Sequence, residues 1–336
     1  MKKIFKTKKD CRKTTIVIRT FFFIIVVAMI FVTIRLYYLN HNQVENPQFT
    51  DGNLKIIMVD VGNGDCSLLL QNDKAMLIDT GYITTYSDVK KVLKENNVQK
   101  VDYAVITHPH RDHAGGIFGL LFDYQVCNLY MAEDLGEVKM SITEKLFYYL
   151  ETAMIKYTNL FANNIVDVKC KARKCDFQFA NSQVEFLAPL NRNYEKLNNY
   201  SLVFKLTYKE NSILFTADME IINERELLEA GVNVSADIIK IAHHGSNTST
   251  SEEFLQAVSP KYAMVSSDNG NHNKYGHPVK RIMQYLEAQQ IPLYRTDELG
   301  CVEIDCDGKS IIFLKEPGDY KSGTQYLEEK NNYTRM

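Results

Sequence analysis

No two cysteines in this sequence stand in a C-x-x-C pair, although it holds seven of them. A zinc site built on paired thiolates is therefore not what organises the chain. Internal repeats and low-complexity tracts are also lacking, which leaves an ordinary globular architecture. A basic excess is missing beyond residue 40. Of 39 basic and 41 acidic residues, nine and one lie in residues 1–40, so 30 and 40 remain, a net charge of −10. That excludes the overall basic surface used by tight, sequence-blind nucleic-acid binders. Hydrophobic residues at 45% and charged residues at 24% fit a chain with a full core.

The N-terminal forty residues explain the charge split. Phe21–Ile34 is apolar throughout except for Thr33, but this run is shorter than the roughly 20 residues that span a bilayer. Counted from Ile16 to Leu39, with Arg19 and Arg35 snorkelling and Tyr37 and Tyr38 at an interface, the segment is long enough. Eight basic residues precede the run, and after Arg35 none appears until Lys55. The positive-inside rule then predicts a cytoplasmic basic segment over residues 1–15, a transmembrane anchor over 16–39, and everything later outside the cell membrane. A cleaved signal peptide is the rival reading, against which no small-x-small pattern follows the apolar run. Cys11 then lies inside, and the six remaining cysteines are an even number that suits disulfides. Cys170 and Cys175 flank a short basic loop and could pair. Cys301 and Cys306, about 16 Å apart on one extended strand, cannot bridge each other. Buried free thiols fit the cysteines equally well.

Residues 40–53 are polar and read as a linker, 54–316 as one dense domain, and 317–336 as a loose polar tail. Apolar runs at Leu54–Val61, Cys66–Gln71 and Lys74–Asp79, separated by Gly/Asn/Asp turns, predict successive antiparallel strands. Ser87–Asn96 and Met140–Thr158 have helical spacing, and Val101–Thr107 is a buried strand ending in a His-rich loop. Strands over Gln183–Pro189, Ser201–Tyr208 and Ser212–Asp218 follow. Helices at Glu220–Ala230, Ser251–Val258 and Val279–Gln289 then alternate with strands at Asp237–Ala242, Tyr262–Ser266 and Pro292–Arg295. Two more strands, Gly300–Asp305 and Ser310–Leu314, close the domain. The pattern predicts two sheets with helices on their outer faces.

Of eight histidines, only His41 stands outside the clusters His108/His110/His113, His243/His244 and His272/His277. A lone histidine on an apolar face is usually a satisfied core residue. Three within six residues, placed after a buried strand and before Gly115 and Gly116, are a different signal. The H-x-H spacing lets two rings reach one cation, while Asp112 and His113 turn toward a second. Imidazole with carboxylate suits zinc, and manganese or iron also fit.

The stretch Thr107–Gly116 (THPHRDHAGG) resembles the signature of the metallo-β-lactamase superfamily, whose fold is a four-layer αβ/βα sandwich. Similarity continues through Met58–Asp65, Leu77–Gly81, Asn198–Val203, Leu214–Asp218, Ile241–Ser246 and Tyr275–Pro278. These stretches resemble one branch, the extracellular hydrolase domain of the ComEC-type competence proteins that internalise DNA. Those proteins cross the membrane many times, so this chain looks like a stand-alone relative with one anchor. The resemblance implies that His108 and His110 hold one metal, Asp112 and His113 the other, and that Asp218 bridges them. It implies that His243 or His244 completes the Asp112/His113 site, His244 being preferred and His243 left to face substrate. Asp79 would orient a ligand ring from behind. The wider superfamily supplies a further histidine before the bridging aspartate. Here Asn198–Ser201 holds none, so water or Asn199 would serve the His108/His110 metal. His277 resembles a substrate-side group that protonates a leaving group or holds a phosphate. Arg295–Asp297 also matches the branch.

These resemblances imply one or two Zn2+ ions, with Mn2+ an alternative, and a metal-bound hydroxide as the attacking group. Catalysis would rest on Asp112, Asp218, His243 and His277. The expected substrate is a phosphodiester, as nucleic acid or a surface polymer. An ester, lactone or β-lactam hydrolase on the same scaffold is one rival. A metal-stabilised binding module without catalysis is another.

Overall fold

The computed structural model describes residues 44–131 and 175–333, apart from 192, 269–272 and 274, together with Ile30, Thr33, Ile34 and Tyr37. The chain divides into two compact units, residues 1–43 and 44–336. In the first, the four described positions are helical. Among the described residues no helix is long and apolar enough to cross a membrane. Most of the expected anchor at 16–39, the expected helix Met140–Thr158, and Cys11, Cys170 and His272 lie outside the described residues.

The second unit contains two seven-stranded sheets. The first has the order β14-β13-β1-β2-β3-β4-β5 and the second β12-β11-β10-β9-β8-β7-β6. In the first sheet, β1 (Leu54–Met58), β2 (Ser67–Gln71) and β3 (Lys74–Ile78) form the expected meander. Then β4 (Lys100–Ile106) and β5 (Gln125–Met131) add parallel to β3, and β13 (Val302–Cys306) and β14 (Ile311–Phe313) close the other edge. The second sheet begins with β6 (Phe177–Phe179), β7 (Ser182–Ala188), β8 (Val203–Tyr208) and β9 (Asn211–Phe215), all antiparallel neighbours. It continues with β10 (Ile238–Lys240), β11 (Tyr262–Val265) and β12 (Leu293–Arg295), each parallel to its neighbour.

Strand alternation decides which residues go where. Leu54, Ile56 and Met58 of β1 join one cluster with Phe204, Leu206, Ile213 and Met264 of the second sheet, so that cluster is the core between the sheets. Ile57, Leu68, Leu70 and Leu77 point the other way. They meet Val89, Val92 and Leu93 of α1 (Tyr86–Glu95) and Ile117, Leu120 and Leu121 of α3 (Ile117–Asp123). The outer face of the second sheet is covered by α4 (Ile221–Glu229), α5 (Glu252–Val258) and α6 (Lys280–Ala288). The result is the helix–sheet–sheet–helix sandwich expected from the pattern. Parallel β3 and β4 in one sheet and β9, β10 and β11 in the other run into the polar segments that carry Asp79, His108–His113, Asp218, His243–His244 and Ser266. Such carboxyl ends of parallel strands are where α/β sheets collect functional groups.

Two expectations are corrected. Residues 44–53 are docked, not a free linker. Buried Asn46 donates to Lys100 O and Asp102 Oδ2 and accepts from the Gln99 and Lys100 amides, all within 3.0 Å. Nor is the segment after 317 loose. The guanidinium of Arg295 is fully buried and takes its partners from this segment: Asp319 at 3.6 Å and the Lys321 carbonyl, besides Asp297 at 2.7 Å. A buried cation needs such partners, and polar residues that read as tail supply them. A short helix α7 (Thr296–Leu299) comes directly after β12, and helix α8 (Gly323–Tyr333) follows the segment. Its start carries a capping arrangement, in which Ser322 Oγ accepts from the Gln325 amide and Gln325 Oε1 accepts from the Ser322 amide. Among the described cysteines, Cys66, Cys127, Cys301 and Cys306 are free thiols.

Candidate metal centre

The turn after β4 becomes α2 (Arg111–Ala114), which lifts Asp112 and His113 off the strand end while His108 and His110 precede it. This turn lies against the Thr80–Gly81 backbone, where Thr80 N donates to His113 O at 2.7 Å. Gly116 makes the approach possible, since a Cβ there would stand 2.5 Å from Thr80 O.

Two groups of ligand atoms result, each with its members within 4.8 Å of one another: Asp112, His113, Asp218 and His244, and His108, His110 and Asp218. Asp218 is common to both. His113 Nε2 lies 3.1 Å from Asp218 Oδ1, and His244 Nε2 lies 3.5 Å from Asp112 Oδ2. His108 Nε2 stands 2.9 Å from His110 Nδ1 and 3.7 Å from Asp218 Oδ2. His113 Nε2, His244 Nε2 and Asp218 Oδ1 are buried, yet no hydrogen bond satisfies any of them. Buried polar atoms normally find partners, so three orphaned donor atoms converging on one point fit a cation held among them.

The backs of the rings are fixed. His113 Nδ1 lies 2.7 Å from Asp79 Oδ2, and Asp79 also accepts from Thr107 N and Thr107 Oγ1, both at 2.8 Å. His244 Nδ1 donates to Ser266 O at 3.0 Å. Each contact puts the proton on Nδ1 and turns the Nε2 lone pair toward the centre, which is the usual outer support of a metal-ligating imidazole. Asp65, Asp79 and His113 also lie close together, but Asp79 is taken up by His113 and Thr107 and Asp65 by Lys240 Nζ at 2.7 Å. That group is therefore outer support and not a third cation position.

Charge is organised around the same point. Burial opposes ionisation of Asp218, but His113, His243 and His244 outweigh it and hold the carboxyl well below the ordinary range. Burial likewise opposes a charged His113, and Asp218 and Asp79 outweigh it, leaving the ring's pKa well above its ordinary value. His108 is pushed well down by burial and by His113. A largely buried site that keeps Asp218 ionised among imidazoles is one suited to enclosing positive charge.

Backbone conformation supports the assignment. His243 (φ 50°, ψ 47°) and His244 (φ 54°, ψ 21°) are consecutive left-handed residues, and Asp79 (φ 57°) is another. Non-glycine residues held there cost on the order of 1–2 kcal/mol each, and such strain gathers at functional sites.

The structure thus brings His108, His110, Asp112, His113, Asp218 and His244 together, with Asp79 behind them. His243 lies outside the four-residue group. Its Nε2 is 3.7 Å from Asp218 Oδ2, its ring contacts the Asn198 amide at 3.3 Å, and it meets the His277 ring edge-on at 5.8 Å. His277 is buried with Nδ1 unpartnered, and burial, then His244 and His243, lower its pKa to about 4. Exposed Tyr275 stacks on it at 5.6 Å. Asn199 does not face the centre. Its side chain engages Glu220, accepting from the amide at 3.3 Å, and its carbonyl accepts from Asn223. The neighbouring Asn198 takes the position beside His243, with its Oδ1 buried and unpartnered. Sequence reasoning missed Asn198, and also Thr107 and Ser266 as the groups behind the rings. Only their adjacency to ligand-bearing motifs could have pointed to them.

The fold and this centre resemble those of metal-dependent hydrolases of the metallo-β-lactamase superfamily, whose family model matches residues 59–169, the stretch that carries His108, His110, Asp112 and His113. By sequence the chain is similar to curated proteins named for competence and recombination. ComE operon protein 3 of Bacillus subtilis is 28% identical over 267 residues, covering 74% of this chain and 32% of the relative. Competence protein ComA of Neisseria gonorrhoeae is 27% identical, covering 73% and 31%. Recombination protein 2 of Haemophilus influenzae is 27% identical, covering 74% and 28%. The chain therefore spans about a third of the length of these curated relatives. Among solved structures, the metallo-β-lactamase fold protein YhfI of Bacillus subtilis aligns over 63% of this chain and 85% of its own, with 12% identity and a TM-score of 0.42.

Proposed function

We propose that this chain is a zinc-dependent phosphodiesterase held at the outer face of the cell membrane, acting on nucleic acid or a phosphodiester-linked surface polymer. The observation that carries the hydrolytic reading is the pair of ligand groups sharing Asp218. When bound, divalent cations supply Lewis acidity and bring the pKa of a coordinated water toward about 7. The chain's own residues do the rest. Asp218 and Asp112 supply negative charge to both sides of the centre, and Asp79 and Ser266 O hold two rings in the tautomer that can ligate. Imidazole and carboxylate donors favour zinc, with manganese the alternative.

On the substrate side, Asn198, His243 and His277 line the centre. With its pKa near 4, His277 is neutral at physiological pH, which favours a hydrogen-bond donor to a phosphoryl oxygen over a proton donor to the leaving group. Relatives named for competence and recombination support a nucleic-acid substrate. The basic N-terminus and the apolar run after it support an anchor with the hydrolase domain outside. Exposed Ile30, Ile34 and Tyr37, spaced along one helical face, are in keeping with it.

The test is metal analysis of the purified chain, followed by activity against bis-p-nitrophenyl phosphate, plasmid DNA and nitrocefin. Asp112→Ala and Asp218→Ala should remove phosphodiester turnover by more than the 10²–10⁴-fold, roughly, that a single acid or base group contributes. Hydrolysis of nitrocefin alone would move the chain to the β-lactam class. Near-wild-type turnover by both variants would leave a binding module. For topology, protease added to intact cells should digest the region beyond residue 40, and protection of peptides carrying His108 would reverse the orientation.

A further inference from the structure

His277 sits on a loop with no regular structure of its own, and the C-terminal segment sets that loop's shape. Asn273 clamps it from within, its Oδ1 accepting from the His277 amide at 2.9 Å and its Nδ2 donating to the His277 carbonyl. From outside, the Gly323 amide donates to Pro278 O at 2.9 Å. The fit is close enough to demand glycine. A Cβ on Gly323 would lie 2.1 Å from His277 O and 2.7 Å from Asn273 Nδ2. On the loop side, a Cβ on Gly276 would lie 2.4 Å from Thr324 Oγ1. The segment is itself tied to the second sheet. Gly318 N donates to Leu293 O at 2.8 Å, Tyr320 OH donates to Ile291 O at 2.8 Å, and Tyr326 OH donates to Glu298 Oε1 at 2.6 Å. Arg295, at the end of β12, gathers Asp297, Glu298, Asp319 and the Lys321 carbonyl around one buried guanidinium and lies 4.9 Å over the Tyr326 ring. A continuous set of contacts therefore runs from β12 through Arg295 and residues 318–322 to Gly323 and the loop that carries Tyr275 and His277.

We propose that residues 317–333 are a positioning element of the active site, which presses the Tyr275–His277 loop into place beside the metal centre. This rests on the reading of His277 as the group that meets substrate. None of the metal-ligand residues touches the segment through the contacts just described, so metal binding and substrate handling separate. The segment acts on the second and leaves the first alone.

The test uses the full chain with Gly323→Ala, His277→Ala and the double variant. Gly323→Ala should keep the wild-type number of metal equivalents and speed hydrogen exchange at the His277 amide. It should lower kcat/KM on bis-p-nitrophenyl phosphate about tenfold, since displacements of around 1 Å at a reacting centre cost up to roughly 10². On the His277→Ala background it should cost nothing further. Should Gly323→Ala fail to fold, Gln325→Ala uncaps α8 from its exposed side and should give the same signature at about threefold. Wild-type kcat/KM and exchange in Gly323→Ala, with His277→Ala impaired, overturns the positioning role while leaving the reading of His277 intact. Wild-type turnover by His277→Ala removes that reading and the proposal with it. Losses that add in the double variant also overturn it.

Discussion

Asp79→Asn isolates what the outer support of the metal centre contributes. The substitution keeps the shape of the side chain, and asparagine tolerates the left-handed backbone at this position (φ 57°). One carboxylate oxygen, Oδ1, accepts from Thr107 N at 2.8 Å, and an amide oxygen can continue to do so. The other, Oδ2, faces Thr107 Oγ1 at 2.8 Å and His113 Nδ1 at 2.7 Å, and there the amide places an NH2. The hydroxyl can rotate to accept, but the ring cannot present an Nδ1–H to another donor. Either two donors oppose each other in a buried site, or His113 shifts its proton to Nε2 and ceases to be a ligand. Loss of an outer-shell partner of this kind costs about 10–100-fold in metal affinity, equivalent to about 1.4–2.7 kcal/mol. The loss should fall on the equivalent held by Asp112, His113, Asp218 and His244. Competition with a graded chelator, read as equivalents retained, measures it, and circular dichroism checks that the fold persists. An Asp79→Asn protein that holds every equivalent with wild-type affinity would refute the idea that Asp79 sets the tautomer of a ligating His113.

Further outcomes follow from other parts of the structure. Lys240, at the end of β10, and Asp65, in the turn between β1 and β2, form a buried ion pair at 2.7 Å, so Lys240→Met should cost about 3–5 kcal/mol in denaturant unfolding, most of it recovered by adding Asp65→Asn. A single-variant loss below about 1 kcal/mol would mean that the Asp65 charge finds other compensation. His277 is ordinarily protonated near 6.5 in an unfolded chain but only near 4 here, so it lowers stability as pH falls from about 6.5 towards 4. His277→Asn should flatten that part of the curve, and parallel curves for the two proteins would contradict it. In chelator titrations the equivalent at His108/His110 should leave first, because it has three protein residues against four. Simultaneous release would show that Asn198 or solvent compensates fully.

Much of this was legible from residue order. Alternating apolar runs located β1, β2, β3, β4 and most strands of the second sheet to within a few residues, since each strand buries one face against the other sheet and one against helices. Strand β5 was not foreseen: Gln125–Met131 mixes polar and apolar residues, and it is placed by parallel pairing with β4. Helix α8 escaped because its composition is polar and the segment before it docks on Arg295, which lies more than twenty residues from Asp319 and Lys321. At the centre, the ligand types could be read from motif spacing, but not which of His243 and His244 turns inward. That is decided by two left-handed residues in succession and by Ser266 O, which lies on a different strand end. The choice between Asn198 and Asn199 was equally out of reach, because Glu220 and Asn223 on the far side capture Asn199.

The division of ligands between the sheets has an energetic consequence. His108, His110, Asp112 and His113 follow β4 of the first sheet, whereas Asp218 and His244 follow β9 and β10 of the second. Below them, Asp65 and Lys240 cross the same boundary. The apolar core between the sheets does not fix their relative position to the tenths of an ångström that a coordination shell requires, because side chains there interdigitate without directional bonds. Directional contacts at the rim do. A cation gripped from both sheets binds the folded arrangement and not the unfolded chain, so its affinity adds to stability by about 2.7 kcal/mol at a hundredfold excess over Kd. The left-handed strain at Asp79, His243 and His244, a few kcal/mol by the usual cost per residue, is of the same order. Metal binding and the strained strand ends therefore belong to one balance, in which the conformations that aim the ligands are sustained partly by what those ligands hold.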